Sequence, residues 1–473
     1  MFRNSLVYLV GRYGASALNA LALAAFTRLL SPGDYGIYAL VFSSALTAYA
    51  GFYQWLRQSI NRLMPAYNDK LEDFLSNVSL LFLISTVLVW TSGAIALIFI
   101  SDTILFWQIA LGMLLTGALG LGEVSIGIPQ SQFKSITYSI LLFLRTIACI
   151  FCSLILISLG YGWAGLVVGT TLGFVISSLP TMKLIVRESK IKNLNQAIVR
   201  EIAVFGLPYA LGGVLGAITA MSDRYIIVAL VGTDAAGLYS ASFDLTVRSL
   251  QAVLIAINLA GSPYIYRAFE AGGIESAQPF LTRQAQLLLA VGLPTTAALS
   301  VLTPWITSLM LGKPFQASAV ELMPLIAITT MISAFETLYF ALSFSLSKRL
   351  KSMLVLQAVL LLVKTIISYT FISSFGIQGA VISSLVSATI SLLCTIIIGR
   401  RLVHLPFVTA DILKFGAATS VLICILWPVR HEVATIRVMS YAAVASFAYA
   451  VVVVLLDAAN ARAITKRYIK LIY

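Results

Sequence analysis

Fourteen apolar stretches, each long enough to cross a bilayer, occupy nearly all of this 473-residue chain. A helix needs about 20 apolar residues to cross ~30 Å of hydrocarbon. The stretches fall at 4–29, 35–60, 76–100, 104–128, 136–159, 161–182, 202–230, 236–262, 284–310, 319–346, 352–374, 376–399, 412–429 and 437–457. Hydrocarbon offers no partner to backbone polar groups, so segments of this length satisfy their own as helices. An all-α polytopic membrane protein with about 14 transmembrane helices is therefore expected. Only 10% of the residues are charged, against about 25% in a soluble domain, which leaves almost no chain for a soluble domain.

Ten charges lie within those spans or near their ends: Arg12, Arg57, Glu123, Arg145, Asp223, Arg224, Asp244, Arg248, Glu336 and Lys364. Each costs about 2.5–3.5 kcal/mol at the bilayer centre on the insertion scale. Facing lipid, ten would cost about 25 kcal/mol or more, beyond the stability of a typical fold. They must pair with one another or line a wet interior. Six are cationic and four acidic, so that interior leans positive, as a carrier of anionic amphiphiles requires.

Topology accounts for the net charge of +13 without nucleic acid as a partner. With the N-terminus inside, the inner loops and tails hold 21 Lys and Arg residues and the outer loops three, Lys313, Arg430 and Arg437. That asymmetry follows the positive-inside rule and places both termini in the cytoplasm. Met1 to Leu30 carries Arg12 inside its apolar run with no small-residue cleavage site after it, so the first span is expected to remain as a helix. Cys149 and Cys152 form a C-x-x-C with apolar Ile150 and Phe151 between them. On a membrane helix this reads as small buried side chains rather than a redox or metal site. His404 and His431 are the only histidines, and no P-loop lysine motif, H-E-x-x-H or G-x-S-x-G occurs. An enzyme is not expected: outer-face chemistry would need a substantial outer loop, and every outer loop is short.

The chain also repeats. Arg28-Leu29-Leu30-Ser31-Pro32-Gly33-Asp34-Tyr35-Gly36-Ile37-Tyr38 joins the first two spans, and Ala229-Leu230-Val231-Gly232-Thr233-Asp234-Ala235-Ala236-Gly237-Leu238-Tyr239 joins the seventh and eighth. A second pair, Gly162-Trp163-Ala164-Gly165-Leu166-Val167 and Gly376-Ile377-Gln378-Gly379-Ala380-Val381, opens the sixth and twelfth. An even number of spans separates the copies, which makes them parallel repeats. The expected organisation is an N-lobe at 1–182, a basic linker at 183–201, a C-lobe at 202–400, and a C-terminal helix pair with a basic tail at 401–473.

The pattern at 28–38, with Asp223-Arg224-Tyr225-Ile226-Ile227 followed by Gly232, Gly237 and Tyr239, resembles polysaccharide-repeat-unit flippases. These are the Wzx, or polysaccharide transport, branch of the multidrug/oligosaccharidyl-lipid/polysaccharide exporter superfamily. The resemblance covers most of the chain and implies a MATE-like fold: two six-helix lobes plus a final helix pair. It implies transfer of an undecaprenyl-diphosphate-linked oligosaccharide from the cytoplasmic to the periplasmic leaflet of a bacterial inner membrane, for O-antigen, capsule or exopolysaccharide assembly. Polysaccharide polymerase and export machinery would then be partners of a monomer needing no cofactor, with proton or sodium coupling as its energy source. The residues alone agree: a polar head crosses a hydrated cavity while an apolar tail stays in lipid. Arginine suits the diphosphate because its fork binds oxygens in pairs and stays charged when buried.

Arg12, Arg57, Arg145 and Arg248 are the candidate substrate-binding residues, placed to encircle an inward-facing cavity. In the related lipid II flippases, arginines of the first, second and eighth helices hold the diphosphate near the inner gate. Arg12, Arg57 and Arg248 are similar in helix placement, without a shared local motif. Asp223, Arg224, Asp244, Glu336 and Lys364 are the candidate gating or ion-coupling residues. Asp244 and Arg248 share a helix face at i,i+4, as a neutralising pair or a gate. Glu336 and Lys364 either form a salt bridge, or Glu336 carries a coupling proton; Glu123 reads as a residue of the inner interface. Gly165, Gly169 and Gly173 form a close-packing ridge. Pro208 and Pro294 are expected to kink their helices, and Trp55, Trp107, Trp163, Trp305 and Trp427 to anchor at interfaces. The rival function is an ion-coupled multidrug or metabolite antiporter on the same fold, against which a cationic interior argues.

Overall fold

The computed structural model describes residues 2–462; Lys466, Arg467 and Lys470 of the expected basic tail lie outside the described residues. The chain runs α1 (Phe2–Leu29), α2 (Pro32–Phe52), α3 (Gln54–Leu63), α4 (Leu71–Ile98), α5 (Thr103–Ser131), α6 (Ser135–Ser158), α7 (Gly162–Glu188) and α8 (Gln196–Leu230). It continues through α9 (Thr233–Val301), α10 (Thr303–Met310), α11 (Lys313–Phe335), a π turn at Glu336–Phe340, α12 (Leu342–Leu346), α13 (Leu350–Arg400), α14 (Thr409–Leu426) and α15 (Thr435–Leu455).

Eleven helical segments are long and apolar enough to cross a membrane. Two of them supply two crossings each. The α9 helix breaks at Gly272 and Gly273, and its arms face each other through Gln284 and Asn258 and through stacked Tyr264 and Phe280. The α13 helix breaks at Gly376, where φ is +58°, a conformation glycine adopts without a Cβ penalty. Helix α1, of 28 residues, covers the first expected span, so the helices are consistent with about fourteen crossings.

The chain packs as two compact units, residues 1–237 and 238–473. The expected lobe limits at 182 and 202 follow the sequence repeat; the packing boundary falls later, after Gly237. In the first unit, α8 lies against α2 and α3. Ser59 Oγ donates to the Ile202 carbonyl at 3.1 Å, and Gly206 lies directly over Trp55 and Ser59. Trp55 is only 7% exposed and donates to the Phe52 carbonyl, so it fills the core of this contact rather than marking an interface. The Gly165–Gly169–Gly173 ridge seats α7 against α6, facing Leu156, Ser153 and Cys149. Small residues allow this close approach without a hydrophobic driving force between helices. Cys149 is free and lies at this contact.

Of the linker expected at 183–201, α7 and α8 take up both ends as helix and leave residues 189–195 between them, fastened to the first turns of α4. Lys190 N donates to Ser76 Oγ at 2.9 Å and Lys190 Nζ to Glu72 at 2.7 Å. Asn77 closes both sides, accepting from Asn195 N at 2.9 Å and donating to the Asn193 carbonyl at 3.2 Å. Tyr67 donates to Glu201 at 2.5 Å. Three of these bonds, at Lys190 N, Asn195 N and the Asn193 carbonyl, satisfy backbone groups that a connecting segment otherwise leaves to water.

Within the same unit, the first turns of α2 and α9 meet. A Cβ on Gly36 would land on the Thr233 carbonyl, and one on Gly237 on the Pro32 carbonyl. In the second unit, the helices run through Pro294 with helical backbone and break instead at glycines; in the first, α8 likewise continues through Pro208. Neighbouring groups can re-satisfy the carbonyl that a proline frees. The core of the second unit joins both arms of α9 to the π turn and α13, around Leu254, Leu281, Tyr339 and Phe340.

Candidate functional site

The expected second span, 35–60, is broken at Tyr53, whose φ of −130° and ψ of −25° end α2 and begin α3. Tyr53 is fully buried, and its hydroxyl donates to Thr86 Oγ1 at 3.0 Å. Its ring lies where a Cβ on Gly120 would sit, so α5 can press against the break. Arg57, the first charged residue of α3, thereby comes opposite Glu123 of α5.

Three charges converge there. One oxygen of Glu123 accepts from Arg57 Nη1, and the other accepts from Arg145 Nη1 of α6 at 2.7 Å. Glu123 is not an isolated interface residue, as its position in sequence suggested, but the bridge between two of the four candidate arginines. Arg57 Nη2 also donates to Gln130 Oε1 at 3.3 Å, and the Tyr49 hydroxyl lies against the same guanidinium. The Arg145 guanidinium rests over the Phe174 ring at 4.8 Å, a cation–π contact. Side-chain exposures of 26% for Arg57, 17% for Arg145 and 15% for Glu123 leave the cluster mostly buried. Arg57 Nε and Asn61 Oδ1 are buried without a hydrogen-bond partner among the described residues. Two cations against one anion leave a net +1, held among membrane-crossing helices. Such a cluster is costly unless its charges are paired or matched to a ligand.

The remaining candidates fall elsewhere. The Arg12 side chain lies outside the described residues. Asp223 and Arg224 are both buried in α8, and Arg224 Nη1 donates to Ser43 Oγ of α2 at 3.2 Å. Asp244 and Arg248 sit one turn apart on α9 with 3.9 Å between charged atoms, and they belong to the second unit. Glu336 meets two hydroxyls. Its carboxylate opens the π turn and accepts from Ser391 Oγ at 2.7 Å and Thr395 Oγ1 at 2.9 Å, both on α13. The π turn leaves a backbone carbonyl free at Leu338, which Gln284 Nε2 satisfies at 2.7 Å. Among the described residues no group of His, Cys, Asp or Glu could hold a metal ion.

These features define a helical, multi-pass membrane protein built on the transporter fold shared by multidrug exporters and lipid flippases. The fold matches the inward closed conformation of the lipid II flippase MurJ with a TM-score of 0.73, at 14% identity, over 96% of this chain and 99% of that one. It matches an inward-facing multidrug resistance MATE transporter of the MOP superfamily with a TM-score of 0.68, at 16% identity, over 82% and 94%. A MOP-superfamily transporter from Pyrococcus furiosus, described as having a binding pocket of reverse polarity, matches at 0.60 and 16% identity, over 85% and 94%. No curated protein sequence matches the chain. The family model for polysaccharide biosynthesis proteins matches residues 25–316, more than half of the chain, and the chain belongs to that family.

Proposed function

We propose that this protein flips an undecaprenyl-diphosphate-linked oligosaccharide repeat unit from the cytoplasmic to the periplasmic leaflet of a bacterial inner membrane, by alternating access, for surface polysaccharide assembly. One observation carries the reading: two arginines of different helices converge on a single carboxylate within a membrane-crossing unit. Guanidinium pairs match the doubled oxygens of a diphosphate. A small-molecule antiporter that takes up cations has no use for a site of net positive charge. Membership of the polysaccharide biosynthesis family supports the same choice.

In this reading Arg57 and Arg145 hold the diphosphate, with Arg12 and Arg248 as further ligands. Asp223, Arg224 and Asp244 act in gating. Glu336, whose partners are hydroxyls, is the group for proton or sodium coupling; Lys364 is the second mid-membrane charge of that half. The basic loops face the cytoplasm, with both termini. The monomer hands its cargo to a polysaccharide polymerase and export machinery. The test is the leaflet location of lipid-linked oligosaccharide in a strain lacking the protein. Accumulation on the cytoplasmic face, with surface polysaccharide lost, is the expected result. An unchanged lipid pool with normal surface polysaccharide, and no redundant flippase, would leave export of small molecules as the better account.

A further inference from the structure

Glu123 occupies the place that an anionic ligand of Arg57 and Arg145 would need. Both of its oxygens are used, one on each guanidinium, so it bridges the two arginines as the oxygens of a phosphate could. A dianion arriving at the cluster would turn its charge from +1 to −1 while Glu123 remained. At these distances two anions compete for the same donors, because like charges in a poorly solvated site repel strongly. We infer that Glu123 is an internal competitor that sets the specificity of the site, admitting lipid diphosphates and excluding lipids with a single phosphate charge.

The exclusion has a physical basis. A monoanionic phosphodiester, the headgroup of abundant bilayer lipids such as phosphatidylglycerol, brings no more charge than the carboxylate it must displace. Glu123 is also already tethered, so it competes at a high effective concentration. A diphosphate brings about twice the charge and more oxygens, enough to occupy both guanidiniums and the spare Nε donor of Arg57. Gln130, which accepts from Arg57 at 3.3 Å, is the neutral neighbour of that guanidinium. A second carboxylate there would strengthen the internal competition.

The inference rests on the flippase reading and is tested separately from it. Purified protein is placed in nanodiscs of phosphatidylcholine, with or without phosphatidylglycerol, and binding of undecaprenyl diphosphate is measured. In the wild type, phosphatidylglycerol is expected to change the apparent affinity by less than about twofold. Glu123→Gln is expected to bind undecaprenyl diphosphate about tenfold more tightly in pure phosphatidylcholine, a modest share of the coupling between close charges. It is also expected to lose that gain when phosphatidylglycerol is added. Glu123→Asp should restore the exclusion, because it keeps the charge. Gln130→Glu should weaken binding about tenfold, and this arm stands even if Glu123→Gln does not fold. Equal or weaker binding by Glu123→Gln, or unaltered binding by a folded Gln130→Glu, would overturn the inference and leave the flippase reading intact. A wild-type protein that fails to bind undecaprenyl diphosphate would overturn both.

Discussion

Gly36 and Gly237 stand at matching positions of the two sequence repeats, and their backbones touch. Each leaves room for the carbonyl of the other helix's first residue, Thr233 for Gly36 and Pro32 for Gly237. The contact is backbone on backbone, so no side-chain rotation can relieve an added methyl. Gly36→Ala and Gly237→Ala are each expected to destabilise the protein by about 1–3 kcal/mol, the range for overpacking. Because both changes act on one contact, the double variant should cost less than the sum of the singles. Unfolding midpoints of the purified variants in detergent check both statements.

The pairing of Glu123 with two arginines makes a second prediction about stability. Arg145→Ala leaves Glu123 with one partner in a poorly hydrated place. Breaking a buried pair costs about 3–5 kcal/mol, and the 15% exposure of Glu123 puts this case at the low end. Adding Glu123→Gln to Arg145→Ala, so that charge is lost from both sides, should recover part of that loss. A double-mutant cycle on denaturant midpoints would measure the coupling, and additive losses would argue against a direct pair.

The fastening of residues 189–195 predicts a pH window. The neighbouring Glu72 carboxylate, through a hydrogen bond and its charge, holds the Lys190 ammonium above its usual range. A raised pKa in the folded state stabilises below the unfolded value, and the stabilisation is lost as pH rises through the folded value. Glu72, in the exposed first turn ahead of the apolar stretch of α4, is held below the ordinary carboxylate range by Lys190, first through the same hydrogen bond. That contribution is present above the unfolded carboxylate value and is lost as pH falls through the lowered one. A spin label on Lys192 should therefore be immobile at neutral pH and become mobile at both extremes. Lys190→Met should make it mobile throughout.

Glu336 predicts a division between folding and coupling. Gln at this position keeps an acceptor for Ser391 and Thr395 but cannot release a proton or carry a negative charge. Glu336→Gln is expected to fold with an unfolding midpoint within about 1 kcal/mol of the wild type, as a near-isosteric change. Its transport should no longer respond to an imposed ion gradient. Proteoliposomes with and without a pH or sodium gradient supply the comparison.

Much of this architecture was legible from the chain because membrane segments declare themselves by length. The crossings, the α6–α7 ridge at Gly165, Gly169 and Gly173, and the repeat around Gly36 and Gly237 depend on local pattern. The site was legible only as a set of residue types. Arg57, Glu123 and Arg145 are far apart in sequence, and nothing near any of them signals the others. Their meeting depends on the break at Tyr53, where no proline forces the chain out of helix, and on how closely α5 packs there. For Glu336, charge alone leaves a salt bridge with Lys364 and a coupling proton both open, and the two hydroxyls that the π turn sets against it carry no charge signal. Trp55 reads as an interfacial anchor until α8 is seen to cover it.

Segment 189–195 also fixes an order of manufacture. Chains emerge N-terminus first, and domains generally fold as they are completed. The partners that Ser76 and Asn77 need on α4 are made more than a hundred residues later, and so is the face of α8 that covers Trp55 and Ser59. Six inserted helices are therefore not a finished unit. A nascent chain stalled before α8 would carry an open helix face at Trp55 and Ser59, and closing that face requires α8.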